Sequence, residues 1–306
     1  MSAEAIVTFD CFGSRCTVIV CGSGALGSAE LAAQLARRQL LDWHRRFSRF
    51  EPASELSLLN RDPSERVSVS PTMARLADAV VEAAAASGGL VDATLVAEIE
   101  DAGYASDLGE PVELATALAF APERAPGSPN PHGRWREIAA DPRAGVVHRT
   151  PGVMIDGGGL AKGLFADLLA ERLASHACFA VDCGGDLRVG GARPAARTVE
   201  VASPFDGGIL HTFELADGGV ATSGIGRRSW LDPHGAPAHH LLDPGTGRPA
   251  FTGLVQATAL APSALEAEVL AKAALLSGPE EAPSWLRHGG VLVREDGSHA
   301  TVEPPR

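Results

Sequence analysis

The chain has 306 residues, of which 45% are hydrophobic and 21% are charged, as is ordinary for a soluble globular protein with one large domain or two small ones. Its formal net charge of −12 argues against general binding to nucleic acids or to anionic membranes. An anionic ligand would therefore need a site that is locally positive or that holds a metal ion.

The first ten residues, MSAEAIVTFD, lack the basic and apolar segments of a signal peptide and the cysteine of a lipobox. No stretch approaches the roughly 20 apolar residues of a membrane span. We therefore expect a cytoplasmic protein without membrane insertion. The five cysteines form no Cys-x-x-Cys pair, which favours reduced, buried thiols over a metal site.

Residues 9–20 have the pattern of a strand and residues 28–47 that of a helix, with GSGALG between them at residues 22–27. These glycines have the spacing of a dinucleotide-binding turn. Such a unit also needs a second strand that ends in an acidic residue about 20 residues beyond the glycines. Here the helix is followed by LLDWHRRFSRFEPASELSLLN, which contains no β-branched run. The glycines therefore indicate a tight strand-to-helix connection, and a nicotinamide oxidoreductase is disfavoured.

Further along the chain, helices are predicted for residues 71–86, 160–175 and 263–276. Residues 122–134 are rich in proline and glycine and indicate a loop. Residues 146–155 suggest two short strands with a turn at Pro151 and Gly152, and another strand is predicted for residues 178–183. Short β-like runs continue to about residue 260, and a last strand is predicted for residues 290–296. Helices among strands of mixed spacing predict a mixed α/β (α+β) fold without repeated βαβ units. The absence of repeats and long linkers predicts a single domain over residues 1–306.

Three glycine-containing segments carry polar side chains. GGLVDATL places Asp92 after a glycine pair, although an ordinary helix end and polar turn would explain it. IDGGGLAKG places three glycines before a helix, where backbone amides and the helix dipole favour a phosphate. Lys162 in that first turn either faces an anion or is a solvated surface lysine. VDCGGDLRVGG carries Asp186, and a β-hairpin turn accounts for it.

HHLLDPGTGRP places His240 just before the turn residues Asp243 to Thr246. An imidazole titrates near neutral pH and is the usual general base there. A lone histidine is more often structural, but its position beside an anchored turn favours catalysis.

Together these segments resemble the ApbE family of FAD:protein FMN transferases. FSRFEPASELSLLN, GGLVDATL, IDGGGLAKG, VDCGGDLRVGG, VATSG and HHLLDPGTGRP are similar to six family motifs, in the family's order. The resemblance implies the ApbE-like fold, with a ligand cleft between two subdomains. It also implies an enzyme that moves FMN from FAD to a Thr or Ser hydroxyl of an acceptor flavoprotein, with release of AMP and with Mg²⁺ as the usual metal.

Carried over by position, the resemblance makes His240 the base that deprotonates the acceptor hydroxyl and makes the Gly159 carbonyl a metal ligand. The residues that would contact FAD are Phe12, Phe50, Leu90, Val91, Asp92, Asp156, Lys162 and Leu241.

The last family motif differs in this chain. EAEVLAKAALLSG places Glu268 where the family has an aspartate metal ligand and Lys272 where it has a threonine ligand. A protonated lysine cannot bind Mg²⁺. One interpretation is that the site has lost its metal and its activity. Another is that the Lys272 ammonium stands where the metal stood. Glu268 and Lys272 would also be explained by a surface salt bridge at i, i+4. The alternative to a transferase is an FAD-binding or flavin-trafficking protein, or an FAD pyrophosphatase.

Overall fold

The computed structural model describes residues 4–106 and 111–304. The helices are α1 (Ala29–Arg46), α2 (Glu55–Arg61), α3 (Pro71–Ala86), α4 (Val96–Asp101), α5 (Leu114–Ala119), α6 (Ala161–Leu173) and α7 (Ala264–Trp285), with 3₁₀ turns at Arg134–Glu137 and Gly157–Gly159. The strands are β1 (Glu4–Cys11), β2 (Ser14–Cys21), β3 (Arg66–Ser68), β4 (Ile138–Asp141), β5 (Val146–Arg149), β6 (Cys178–Asp182), β7 (Asp186–Gly190), β8 (Arg197–Ala202), β9 (Ile209–Leu215), β10 (Gly218–Gly224), β11 (Ser229–Leu231), β12 (Pro237–His239), β13 (Leu242–Asp243), β14 (Arg248–Pro249), β15 (Leu254–Ala261), β16 (Gly290–Arg294) and β17 (His299–Val302).

The main sheet has eight strands in the order β1-β2-β6-β7-β10-β15-β16-β17, and each neighbouring pair is antiparallel. Smaller sheets are β3-β5-β4, β8-β9, β11-β12 and β13-β14. This arrangement confirms the predicted α+β class. Among the described residues, no helix is both long and apolar enough to cross a membrane, and all five cysteines are free and buried.

The single strand predicted for residues 9–20 is wrong, because the chain forms the β1–β2 hairpin there. The turn consists of Phe12 and Gly13, with φ angles of 56° and 66°, and it joins the paired residues Cys11 and Ser14. Two positive φ angles are the geometry of a two-residue hairpin turn, which usually takes Asn or Asp before Gly. A phenylalanine at the first position gave no turn signal. Arg228 Nη2 holds it by donating to the Phe12 carbonyl at 2.8 Å.

The glycine-rich segment after β2 forms a closed turn. Gly24 and Gly27 exchange two backbone hydrogen bonds of 3.0 Å, and the Ala25 amide donates to Ser175 Oγ at 2.8 Å. These amides already have partners within the protein, and β2 pairs antiparallel with its neighbours. The structure therefore gives this turn a connecting role and contains no dinucleotide-binding βαβ unit around it.

Most predicted helices agree with the structure. Ser28 and Ser70 cap α1 and α3 by accepting from Leu31 N and Met73 N. The predicted helix at 263–276 continues to Trp285 across a kink at Gly278, where φ is 79°. Residues 153–155 do not form the second predicted strand. The side chain of Asn60 instead bonds both the amide and the carbonyl of Ile155, at 2.8 and 2.9 Å, as a neighbouring strand would.

Helix α7 packs on β10 and β15, and α6 packs on α7 and β7. Phe165 of α6 is fully buried and lies at the centre of an aromatic cluster. Its ring centroid is 4.8 Å from that of Trp43, 5.5 Å from that of Phe47 and 5.7 Å from that of Phe12. This packing fixes the start of α6 against the β1–β2 turn, and the functional cavity opens at that junction.

Candidate active site

A cavity of about 410 Å³ lies where the β1–β2 turn, the start of α6 and the segment after β12 meet. It is lined by every residue for which the sequence predicted contact with FAD: Phe12, Phe50, Leu90, Val91, Asp92, Asp156, Lys162 and Leu241. His240, Gly159 and Lys272 line the same cavity. Glu268 lies behind Lys272 and is 1% exposed. The predicted residues, scattered from position 12 to position 272, are thus brought together.

Part of the cavity lining is aromatic. Phe50 and Tyr104 pack with ring centroids 5.3 Å apart. The Arg49 guanidinium carbon lies 4.3 Å from the Phe50 centroid and 4.6 Å from that of Tyr104. This cation–π stack holds the aromatic wall against the polar part of the site.

The glycine turn forms the polar wall. Asp156 Oδ1 accepts from Gly158 N at 2.8 Å and caps the 3₁₀ turn Gly157–Gly159, directly before α6. Arg49 Nε lies 3.6 Å from Asp156 Oδ2, so one arginine braces both the aromatic and the glycine walls. The start of α6 adds its positive dipole end to this wall.

Asp92 lies in the turn before α4. Its Oδ1 accepts from Thr94 N at 2.8 Å and from Thr94 Oγ1 at 2.6 Å. Burial raises the pKa of Asp92 above its usual value, against the opposing effect of the Thr94 hydrogen bonds. The Thr94 pairing fixes this carboxyl group at the edge of the cavity.

A buried charge cluster closes the cavity between α6, β7 and α7. Lys272 Nζ donates to Glu268 Oε1 at 2.9 Å, and Gly163 N donates to Glu268 Oε2 at 2.9 Å. Lys162 Nζ lies 3.9 Å from Glu268 Oε1 and forms an ion pair with Asp186. Two lysines and two carboxylates therefore form one ion-pair cluster behind the glycine turn.

The pKa values of the cluster follow from burial and mutual charge. Burial and the Glu268 charge raise the pKa of Asp186 to about 6, against the pull of Lys162 and Lys272. Burial also acts to raise the pKa of Glu268, but the charges of Lys272 and Lys162 outweigh it and hold that pKa below its usual value. Burial acts to lower the pKa of Lys162, yet Asp186 and Glu268 keep it above its usual value. Glu268 and Lys162 are thus both charged at neutral pH.

The residues around Glu268 do not fit a resident Mg²⁺. Mg²⁺ requires about six oxygen ligands in near-octahedral geometry. Both oxygens of Glu268 already accept hydrogen bonds from protein N–H groups, and Asp186 is paired with Lys162. Lys272, at the position where the resemblance implies a threonine ligand, carries an ammonium, which offers no lone pair and repels a cation.

His240 and His239 are adjacent but lie in different surroundings. His240 faces the cavity, whereas His239 is 1% exposed and packs edge-on against Phe251, with centroids 4.7 Å apart. Burial and the positive charge of Arg228 hold the pKa of His240 well below its usual value. Its imidazole is therefore neutral at pH 7, and its Nδ1 has no hydrogen-bond partner among the described residues.

Sequence reasoning missed Arg49, Tyr104, Arg227 and Arg228, which also line the cavity. Arg49 lies within FSRF and Arg228 follows VATSG, so both were adjacent to motifs that were recognised. A search for basic residues next to those motifs would have found them. Tyr104 is the only tyrosine in the chain, but no pattern connected it to the site.

A family model described as "ApbE family" matches residues 12–293. The chain belongs to the ApbE family. Its relatives include a protein of Treponema pallidum named FAD:protein FMN transferase, 32% identical over 167 residues that make up 47% of this chain and 46% of the relative. A protein of Salmonella typhimurium with the same name is 26% identical over 292 residues, 92% of this chain and 81% of the relative.

Among solved structures, the ApbE protein of Thermotoga maritima superposes with a TM-score of 0.78 at 22% identity, covering 98% of this chain and 97% of that one. This likeness confirms the ApbE fold. The matched segment spans about half the length of the first curated relatives.

Proposed function

We propose that this protein is an FAD:protein FMN transferase that moves FMN to a Thr or Ser hydroxyl of an acceptor flavoprotein and releases AMP. The observation that carries the proposal is the convergence of the predicted FAD-contact residues and His240 on one cavity. Family membership and the names of the relatives support the same activity.

Each part of the cavity suits a part of FAD. The aromatic wall of Phe50 and Tyr104, and Phe12 at the β1–β2 turn, offer aromatic surface to a ring system. The glycine turn, the start of α6 and Lys162 offer amides and positive charge to the pyrophosphate. Arg228 adds a further cation on the side of His240. Transfer of a phosphoryl-type group depends mainly on such positioning and charge neutralisation.

In the proposed step, the acceptor hydroxyl oxygen attacks the phosphorus atom on the FMN side of the pyrophosphate. The new P–O bond forms as the bond from that phosphorus to the bridging oxygen breaks. The bridging oxygen leaves with the electron pair as part of AMP, and the hydroxyl proton passes to the imidazole of His240. A histidine that is neutral at pH 7 is in the correct state to accept this proton.

The second candidate is a protein that holds FAD without transferring FMN. It is favoured by the Lys272–Glu268 pair, which occupies the family's metal-ligand positions. The two candidates share the cavity and differ in whether AMP appears. A cytoplasmic location and a Thr or Ser acceptor stay predictions.

The test is a measurement of AMP release from FAD by the purified protein, with and without a peptide that carries an acceptor threonine, in chelator and in Mg²⁺. We expect AMP and flavinylated peptide in equal amounts.

His240→Gln should lower the rate by about 100-fold or more, since general-base catalysis contributes at least that much, while FAD binding persists. His239→Asn is the matched control and should transfer at the wild-type rate, because His239 does not line the cavity. FAD binding without AMP under all conditions would support the FAD-holding protein instead, and an unchanged rate in His240→Gln would refute the base assignment.

A further inference from the structure

The charge cluster contains the only two lysines of the chain. The 26 basic residues divide into 24 arginines and the lysines Lys162 and Lys272. Their Nζ atoms lie 3.9 and 2.9 Å from the same oxygen, Oε1 of Glu268. An arginine presents a broad planar fork, whereas a lysine presents a compact charge with three donors. The other basic residues of the chain are arginines, and its two lysines place two compact cations around one oxygen atom.

Lys272 reaches the wall at which a pyrophosphate would lie. A methyl group at the position of Gly159 would meet Lys272 Cε at 3.8 Å, so the stem of Lys272 lies on the side of the glycine turn where Gly159 has no side chain. The side chain lines the cavity together with Lys162. Among the described residues, its hydrogen-bond partner is Glu268 alone, which leaves N–H donors of the ammonium for a ligand.

Glu268 holds Lys272 in this place. Its second oxygen accepts from Gly163 N in the first turn of α6, so one carboxylate joins the helix that carries Lys162 to the helix that carries Lys272. The side chains of Lys162 and Lys272 are 16% and 10% exposed, so solvent screens their charges only weakly. Glu268 is thus a positioning residue that fixes the distance between the two ammonium groups.

We propose that Lys272 is the resident cation for the pyrophosphate of FAD in this protein, and that FAD binds here without a divalent metal ion. This inference rests on the proposed function, because it takes FAD as the ligand. It goes beyond that function by assigning the neutralising charge to a side chain.

The first test needs no variant. FAD binding to the wild-type protein is titrated by flavin fluorescence or calorimetry, once in chelator and once in excess Mg²⁺. We expect the same affinity in both buffers. An affinity that falls in chelator and recovers with Mg²⁺ would overturn the inference and leave the transferase proposal intact. Failure of FAD to bind in either buffer would refute the proposed function itself.

The second test removes the cation without leaving its partner charge buried. Glu268→Gln with Lys272→Met deletes one positive and one negative charge, and it should weaken FAD binding in chelator by about 10- to 100-fold, as expected for one charge-assisted contact. Glu266→Gln with Arg287→Met is the matched control, because it deletes an ion pair involving the same helix but away from the cavity. The control should bind as the wild type does. Wild-type affinity in the Glu268/Lys272 double variant would overturn the inference, and thermal melts of both variants verify that each is folded.

Discussion

His239 predicts a specific loss of stability in mild acid. Burial lowers the pKa of this histidine from its ordinary 6.5 to about 3. Its Nδ1 accepts a hydrogen bond from Leu241 N at 3.3 Å, and the Ala250 backbone acts to raise the pKa, but burial outweighs that effect. A proton on this ring would have to break the Leu241 contact and place a charge in an apolar setting.

The direction in which the free energy of unfolding changes with pH depends on when the folded and the unfolded chain each bind a proton at His239. Below about pH 6.5 the unfolded chain binds a proton at His239, whereas the folded chain does not until the pH approaches about 3. The contribution to stability is therefore complete above pH 6.5 and is lost progressively as the pH falls. Between pH 7 and pH 5 the loss amounts to about 2 kcal/mol, because each pH unit below the unfolded pKa contributes about 1.4 kcal/mol.

The assay is urea unfolding followed by circular dichroism at pH 7 and pH 5, on the wild type and on His239→Asn. Asparagine keeps an acceptor near the position of Nδ1 but does not titrate. The wild type should lose about 2 kcal/mol more than the variant between the two pH values, since all other titrating groups cancel in the difference. His299→Asn, at an exposed histidine, should lose as much as the wild type. Equal losses in the wild type and His239→Asn would show that His239 does not stay neutral in the folded protein.

Two further substitutions test the packing behind the site. Gly163→Ala should destabilise the protein by about 1–3 kcal/mol, because the new Cβ would lie 2.8 Å from the Ala264 carbonyl oxygen. Gly226→Ala is the control, since its Cβ would meet only ordinary contacts of 3.6 Å or more. In thermal melts, Gly163→Ala should therefore have a clearly lower melting temperature than Gly226→Ala. Asp167→Asn should lower the free energy of unfolding by about 1 kcal/mol, because both oxygens of the Asp167 carboxylate accept from backbone amides at the start of α7. Asp217→Asn, at an exposed ion pair, is the control and should change the melting temperature little. Indistinguishable melts within either pair would contradict these packing roles.

The sequence predicted the α+β class, most of the helices and several of the residues that line the cavity. It succeeded where a residue type has a local cause. Ser70 caps α3, the glycines after Asp156 permit a tight turn into α6, and the Asp243 carboxylate organises its turn by accepting from Gly245 N and Thr246 Oγ1. Such contacts lie close along the chain or belong to motifs with fixed spacing.

It failed where a distant contact decides the local structure. Phe12 adopts a positive φ with its carbonyl bound by Arg228, which is 216 positions away. Residues 153–155 are not a strand, because the side chain of Asn60 takes the place of a strand partner. Glu268 likewise contacts the start of α6 through a hydrogen bond from Gly163 N, which is 105 positions away along the chain. No local pattern contains information on these pairings.

The net charge of −12 raises the question of how this protein would attract an anion such as FAD. The cavity answers it locally, because five cationic side chains line it against two carboxylates, Asp92 and Asp156; the cations are Arg49, Arg227, Arg228, Lys162 and Lys272. At physiological ionic strength, exposed charges farther than about 8 Å away are largely screened. Distant acidic groups on the surface therefore weigh little against cations that lie at the cavity wall. In the proposed role, Lys272 adds to this local positive charge without a metal ion, since a covalently attached cation does not have to be bound from solvent and does not dissociate.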